Sequence, residues 1–215
     1  MRVVEIFKSR QGEGPNAGRE AAFLRLALCN LRCSWCDTKS SWDGGVEMET
    51  EEVLAELKRM GVRHLVVTGG EPLLWKRELV PLVKELKSEG WYIEVETNGT
   101  IDPGELAQYV DQFNVSPKLS NSGMPEALRI RPEVLRRYAA CEKAVFKLVV
   151  ERREDAEEVE ALIRDFGLPR ERVYLMSQCA DREECSRRDR EVTVPMAESL
   201  GVRFTPRLHI LEGFK

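Results

Sequence analysis

Short apolar runs alternate along this chain with amphipathic segments of helical period, and that alternation limits the available folds more than any single residue does. Residues 21–28 (AAFLRLAL) read as a buried strand broken by one charge, Arg25. Residues 50–60 predict a helix with Thr50 as its N-cap and Val53, Leu54 and Leu57 on one face. Strands over 64–68, 91–96, 112–115, 144–150, 172–176 and 202–205 are predicted between helices over 74–88, 103–109, 132–138, 154–166 and 195–200. Residues 1–18 are mixed, and Gln11-Gly12-Glu13-Gly14-Pro15 cannot be regular helix. The charged stretch 182–190 reads as a solvated face. Such alternation implies right-handed βαβ units on a parallel sheet, either open and doubly wound or an incomplete barrel. We expect one α/β domain over 1–215, with function at the C-terminal ends of the strands.

Composition narrows the function classes. At 215 residues, 42% hydrophobic and 33% charged, the chain can bury a core without staples and is not disordered. A net charge of -4 disfavours a protein that grips nucleic acid by its phosphates. No apolar run is long enough to span a bilayer, and the opening MRVVEIFKSRQGEG is not a signal peptide, so the expected address is the cytoplasm, with no membrane partner. Six cysteines there point to metal or redox chemistry before disulfides.

The sharpest chemical signal is Cys29-Asn30-Leu31-Arg32-Cys33-Ser34-Trp35-Cys36, directly after the first buried strand. A closed structural zinc site wants four ligands, and iron–sulfur clusters normally take four thiolates. Three thiolates on a four-iron cluster would leave one iron open for chemistry. Zinc with His64 or a distant cysteine, and incidental buried thiols, are the competing readings. A second motif, Gly69-Gly70-Glu71-Pro72, follows the next strand; its glycines would let backbone carbonyls approach a bound ammonium group.

The C-x3-C-x2-C loop after the first strand of a βα domain, together with Gly-Gly-Glu-Pro, resembles the radical S-adenosylmethionine (SAM) superfamily. The resemblance implies an incomplete (βα)6-type barrel with the cluster loop after its first strand. It also implies that Cys29, Cys33 and Cys36 hold a [4Fe-4S] cluster, whose open iron chelates the amino and carboxylate groups of SAM. One electron from the cluster then cleaves SAM to a 5′-deoxyadenosyl radical, so a donor such as flavodoxin or ferredoxin is implied.

Three further segments narrow the resemblance. Residues 6–14 (IFKSRQGEG), Cys36-Asp37-Thr38 and Pro206-Arg207-Leu208-His209 are similar, in order, to motifs of the 7-carboxy-7-deazaguanine synthase family. That family implies a lyase acting on a small pterin. It contracts 6-carboxy-5,6,7,8-tetrahydropterin to 7-carboxy-7-deazaguanine with loss of ammonia, in queuosine and other 7-deazapurine biosynthesis. The family also implies a homodimer and Mg2+ at Thr38. SAM would be contacted by Trp35, Cys36, Asp37, Gly70, Glu71, Asn98, Ser116, Pro117, Lys118 and Gln178. Gln178 lies in Met176-Ser177-Gln178-Cys179, where some members carry a Met-Pro-Glu-Gly-like stretch. The substrate would be contacted by Arg10, Gln11, Gly12, Glu13, Arg25, Thr68, His209 and Lys215, with the Arg25 fork suited to a carboxylate. Catalysis would rest on the cluster and SAM, with no further catalytic side chain. Cys141, Cys179 and Cys185 read as buried or incidental thiols. A glycyl-radical-activating enzyme, or a non-enzymatic iron–sulfur or zinc protein, is the alternative.

Overall fold

The computed structural model describes Met1–Lys215. Its strands are β1 (Arg2–Arg10), β2 (Glu20–Leu26), β3 (Val46–Glu47), β4 (His64–Gly69), β5 (Tyr92–Thr97), β6 (Gln112–Val115), β7 (Ala144–Val150), β8 (Val173–Ser177) and β9 (Arg203–Phe204). Its helices are α1 (Thr50–Arg59), α2 (Lys76–Ser88), α3 (Glu126–Arg129), α4 (Pro132–Ala140), α5 (Asp155–Phe166), α6 (Arg182–Arg188), α7 (Val194–Leu200) and α8 (Leu208–Glu212). All strands join one sheet in the order β3-β1-β2-β4-β5-β6-β7-β8-β9. From β2 through β4 to β9 the pairing is parallel; β1 is antiparallel to both β2 and β3. β3 and β9 are free edges, so the barrel stays open, as the sequence implies.

The period of two along each strand divides the interior into two chemistries. On β5, Ile93 and Val95 join the helix-side core, while the alternate residues Glu94 and Glu96 enter a hydrogen-bonded polar cluster. On β6, Phe113 and Val115 do the first, Gln112 and Asn114 the second. On β7, Phe146 and Leu148 flank Lys147 in the same way. The helices cover the apolar face with residues such as Val53, Leu57, Leu79, Leu82 and Val159. The polar face is left for the site.

Several local expectations change. β1 is a full strand, disguised in the sequence because its charges are partnered: Glu5 with Arg25, Lys8 with Glu20, Arg10 with Glu212. Helix α1 is capped by Glu49 rather than Thr50, in a reciprocal capping box with Glu52. Residues 104–108 form a 3-10 turn, and another at Pro72–Trp75 precedes α2. The stretch 182–190 is not simply a solvated face. It holds α6 and the start of a π-helical turn, Asp189–Thr193, and its Cys185 is buried in a disulfide with Cys179. Reading that pair as incidental thiols is therefore corrected; compartment arguments cannot see that a helix start brings the two within bonding reach. Cys141 remains a free thiol.

Candidate active site

The cysteine loop is rooted where β2 and β4 end side by side. A Cβ added to Gly69 would lie 2.0 Å from Leu26 O, and one on Gly70 would lie 2.0 Å from Leu28 O and 3.0 Å from the Cys29 Cβ. Only glycine lets the β4 terminus press against the root of the loop. Sequence alone gives these glycines a ligand-facing role; the structure adds this packing role. Leu28 itself takes φ 71°, the one non-glycine residue in the left-handed region. Its amide donates to Ser41 O at 2.7 Å and its carbonyl accepts from Glu71 N at 2.8 Å.

Cys29, Cys33 and Cys36 are free thiols that line one cavity of about 540 Å³. Burial raises the Cys29 and Cys33 thiols, and the nearby Lys118 ammonium works against it. No fourth cysteine lines the cavity, and no three His, Cys, Asp or Glu side chains converge as ligands of a single ion would. Three thiols on one loop fit a four-iron cluster with an open iron better than a closed four-ligand zinc centre.

Trp35, Asp37, Gly70, Asn98, Ser116, Lys118 and Gln178 line the same cavity. Trp35 Nε1 donates to Asn121 O at 3.0 Å, and Lys118 Nζ lies 5.6 Å from the Trp35 ring centre while donating to Ser116 Oγ at 2.8 Å. Asn98 Nδ2 donates to Asn30 Oδ1 at 2.8 Å, tying the loop after β5 to the cysteine loop. Gln178 accepts from Arg188 Nη1 at 2.9 Å. Two residues expected to touch SAM, Glu71 and Pro117, do not line the cavity. Glu71 is fully buried and spends its carboxylate on Leu73 N, Thr97 Oγ1 and Asn98 N at 3.0, 2.9 and 2.7 Å. It holds the Asn98 loop in place instead of facing a ligand.

The residues expected to meet the substrate all reach this cavity. Arg25 donates from Nε to Glu5 at 2.7 Å and from Nη1 to Thr38 Oγ1 at 3.5 Å, so an arginine fork stands beside the threonine hydroxyl. Thr68 is paired in register with Arg25 across β2 and β4. Gly12 abuts the imidazole: a Cβ there would lie 2.3 Å from His209 Nδ1. Gly12 O also accepts from Leu208 N at 2.9 Å, so the N-terminal loop and the C-terminal segment form one wall. Burial, with Arg207 and Lys147, holds the His209 imidazole below its usual range. Arg10 pairs with Glu212 at 2.6 Å and Lys215 with Glu5, both at the rim. Gln11 is the exception in orientation, since its amide donates to Glu94 at 2.6 Å and Glu96 at 3.1 Å.

Two side chains central to this geometry, Lys147 and Arg207, are absent from the sequence-based set of contacts. Lys147 donates to Glu13 at 2.5 Å and Glu96 at 2.8 Å. Arg207 pairs with Asp37, lies with Nε 3.4 Å from Glu13 Oε1, and donates to Cys179 O at 2.8 Å. The signal for Lys147 was present: it breaks the apolar strand AVFKLVV as Arg25 breaks AAFLRLAL. Arg207 lies inside the Pro206-Arg207-Leu208-His209 segment.

An open parallel barrel with a three-cysteine loop after its first parallel strand defines the class. The family model described as Radical SAM superfamily matches residues 26–166. A curated relative from Pyrobaculum aerophilum, named 7-carboxy-7-deazaguanine synthase, is 46% identical over 216 residues, 98% of this chain and 94% of that protein. One of the same name from Rhodopirellula baltica is 35% identical over 224 residues, covering 97% and 84%. Among solved structures, QueE from Escherichia coli superposes with a TM-score of 0.74 at 26% identity, covering 97% of this chain and 94% of that one. Streptococcus suis SuiB bound to S-adenosylmethionine, at 13% identity and a TM-score of 0.58 over 86% and 51%, shares the fold. The chain belongs to the radical SAM superfamily and, within it, to the 7-carboxy-7-deazaguanine synthase family.

Proposed function

We propose that this chain contracts the ring of 6-carboxy-5,6,7,8-tetrahydropterin to 7-carboxy-7-deazaguanine with release of ammonia, as a step of 7-deazapurine and queuosine biosynthesis. The observation that carries the reading is that one cavity gathers the three cysteines, the Arg25–Thr38 pair and Glu13. Family membership supports it and does not favour a glycyl-radical activator or a non-enzymatic metal protein.

When bound, the [4Fe-4S] cluster and SAM supply a 5′-deoxyadenosyl radical that takes hydrogen from the substrate. Cys29, Cys33 and Cys36 hold the cluster. Trp35, Asp37, Gly70, Asn98, Ser116, Lys118 and Gln178 form the SAM wall. Arg25 receives the pterin carboxylate, and Thr38 offers a hard oxygen to Mg2+, which takes few protein ligands and keeps waters. Glu13 accepts from the donor-rich pyrimidine edge, with His209 beside it. Holding these groups around one cavity orients the substrate for the reactive species. A single domain over 1–215, a homodimer, a flavodoxin- or ferredoxin-type donor and a cytoplasmic address complete the proposal. No helix is long and apolar enough to cross a membrane.

The test is an anaerobic assay. Protein reconstituted with iron and sulfide receives SAM, reductant, Mg2+ and the carboxytetrahydropterin, and products are followed by mass spectrometry. SAM-dependent 7-carboxy-7-deazaguanine is expected, and Cys29→Ala, Cys33→Ala and Cys36→Ala should each abolish it together with 5′-deoxyadenosine. If 5′-deoxyadenosine forms without the deazaguanine, the substrate assignment is wrong.

A further inference from the structure

Lys147 stands in the middle of β7 between Phe146 and Leu148, both core residues, and is only 5% exposed. A lysine placed this deeply is rare unless it is paired. Its ammonium bridges two carboxylates from distant parts of the chain, Glu13 Oε2 at 2.5 Å and Glu96 Oε2 at 2.8 Å. All three side chains line the site cavity, so this is no remote structural ion pair.

The charges around Glu13 are uneven. Arg207 lies 3.4 Å from its other oxygen and His209 3.9 Å, while Asp37 draws Arg207 the other way. Glu96 in turn shares the Gln11 and Asn114 donors with Glu94. Lys147 is the only cation that touches both Glu13 and Glu96. Without it, two carboxylates would face each other across the space of one ammonium, and such a pair shares a proton.

Resting on the function proposed above, we propose that Lys147 is a positioning residue: it holds Glu13 as an ionised acceptor beside Glu96 and thereby sets substrate affinity rather than the rate of the radical step. The electrostatics of the cluster agree. Burial alone would raise the Glu13 carboxyl, but Lys147, Arg207 and His209 outweigh it and hold it at about 2. Burial leaves Glu96 above its usual range despite Lys147. Glu96 is therefore the neighbour ready to contest a proton once the ammonium is gone.

The test compares cluster-loaded wild type, Lys147→Met, Lys147→Gln and Lys147→Met/Glu96→Gln. Each is assayed with the carboxytetrahydropterin at saturating SAM from about pH 6 to about pH 9, a range around neutral where a shared carboxyl proton becomes visible. Wild-type KM should show no acid limb. In Lys147→Met, KM should rise about tenfold at the acid end and recover toward the basic end, with kcat changed by less than about threefold. Lys147→Gln, which keeps donors without charge, should show the same limb and serves if the methionine variant does not fold. Adding Glu96→Gln removes the competing carboxylate, so the limb should shrink. A KM that matches wild type at every pH, or one raised equally at every pH in all variants, overturns the proposal. Absence of the deazaguanine from wild type itself would instead sink the substrate assignment.

Discussion

The guanidinium of Arg207 is paired with the carboxylate of Asp37, joining the C-terminal segment to the residue that follows the third cysteine. The two lie 170 positions apart, and Arg207 also donates to Cys179 O, so a single side chain braces three loops around the cavity.

Removing that brace should be costly because Arg207 is buried and Asp37 is largely exposed. Arg207→Met is expected to cost about 3 kcal/mol, in the range for breaking a buried pair. Asp37→Asn should cost about 1 kcal/mol or less, because its partner keeps Glu13 and Cys179 O. Urea unfolding of both variants measures the difference; equal losses would contradict the asymmetry.

The root of the cysteine loop gives a pair of opposite predictions. Gly70→Ala forces a methyl into the Leu28 carbonyl, which is backbone and cannot turn away. Iron retention after reconstitution should fall severely. Leu28→Gly frees a left-handed residue of its side-chain strain, worth about 1 kcal/mol, and iron retention should hold.

The Cys179–Cys185 disulfide closes a short loop next to Gln178 and to the carbonyl that Arg207 holds. Chain entropy for so small a loop predicts about 2 kcal/mol of stabilisation. A thiol reductant should therefore lower the melting temperature of wild type but not of Cys185→Ser. Alkylation under denaturing, non-reducing conditions should label four of the six cysteines in wild type.

Acid stability should carry the mark of Glu13. Its folded carboxyl, held at about 2 against an ordinary 4.5, binds fewer protons than the unfolded one. The stability it contributes is present above 4.5 and is lost as pH falls toward 2. Glu13→Gln should remove about 3 kcal/mol of acid-dependent loss. Glu71 and Glu96, which burial raises, work in the opposite direction; Glu71 is common to both proteins and cancels, while Glu96 loses a carboxylate neighbour in Glu13→Gln and moves toward its ordinary range. Urea midpoints measured for both proteins through this range decide it.

What could be read from the chain alone was whatever is local. The alternation of strand and helix, the cysteine spacing and the motif order are contiguous patterns, and the parallel sheet and the cluster loop after β2 follow from them. The lone Arg25 in an apolar strand was legible because a charge in a buried run needs a reason. The identical logic for Lys147 needed a partner that no local pattern supplies. Its acceptors come from the loop after β1 and from β5, and only register across the sheet aligns them. β1 was hidden because its charges look like loop until their partners arrive from β2, α8 and the C-terminus. Glu71 looked like a ligand contact, yet burial turned it into the anchor of the Asn98 loop. Cys179 and Cys185 looked incidental because bonding reach depends on where the start of α6 folds. Sequence determined which residues carry chemistry and on which strand ends they stand. Tertiary structure decided which charges meet, because ion pairing is set by distance in space, and in this chain the partners lie up to 170 positions apart.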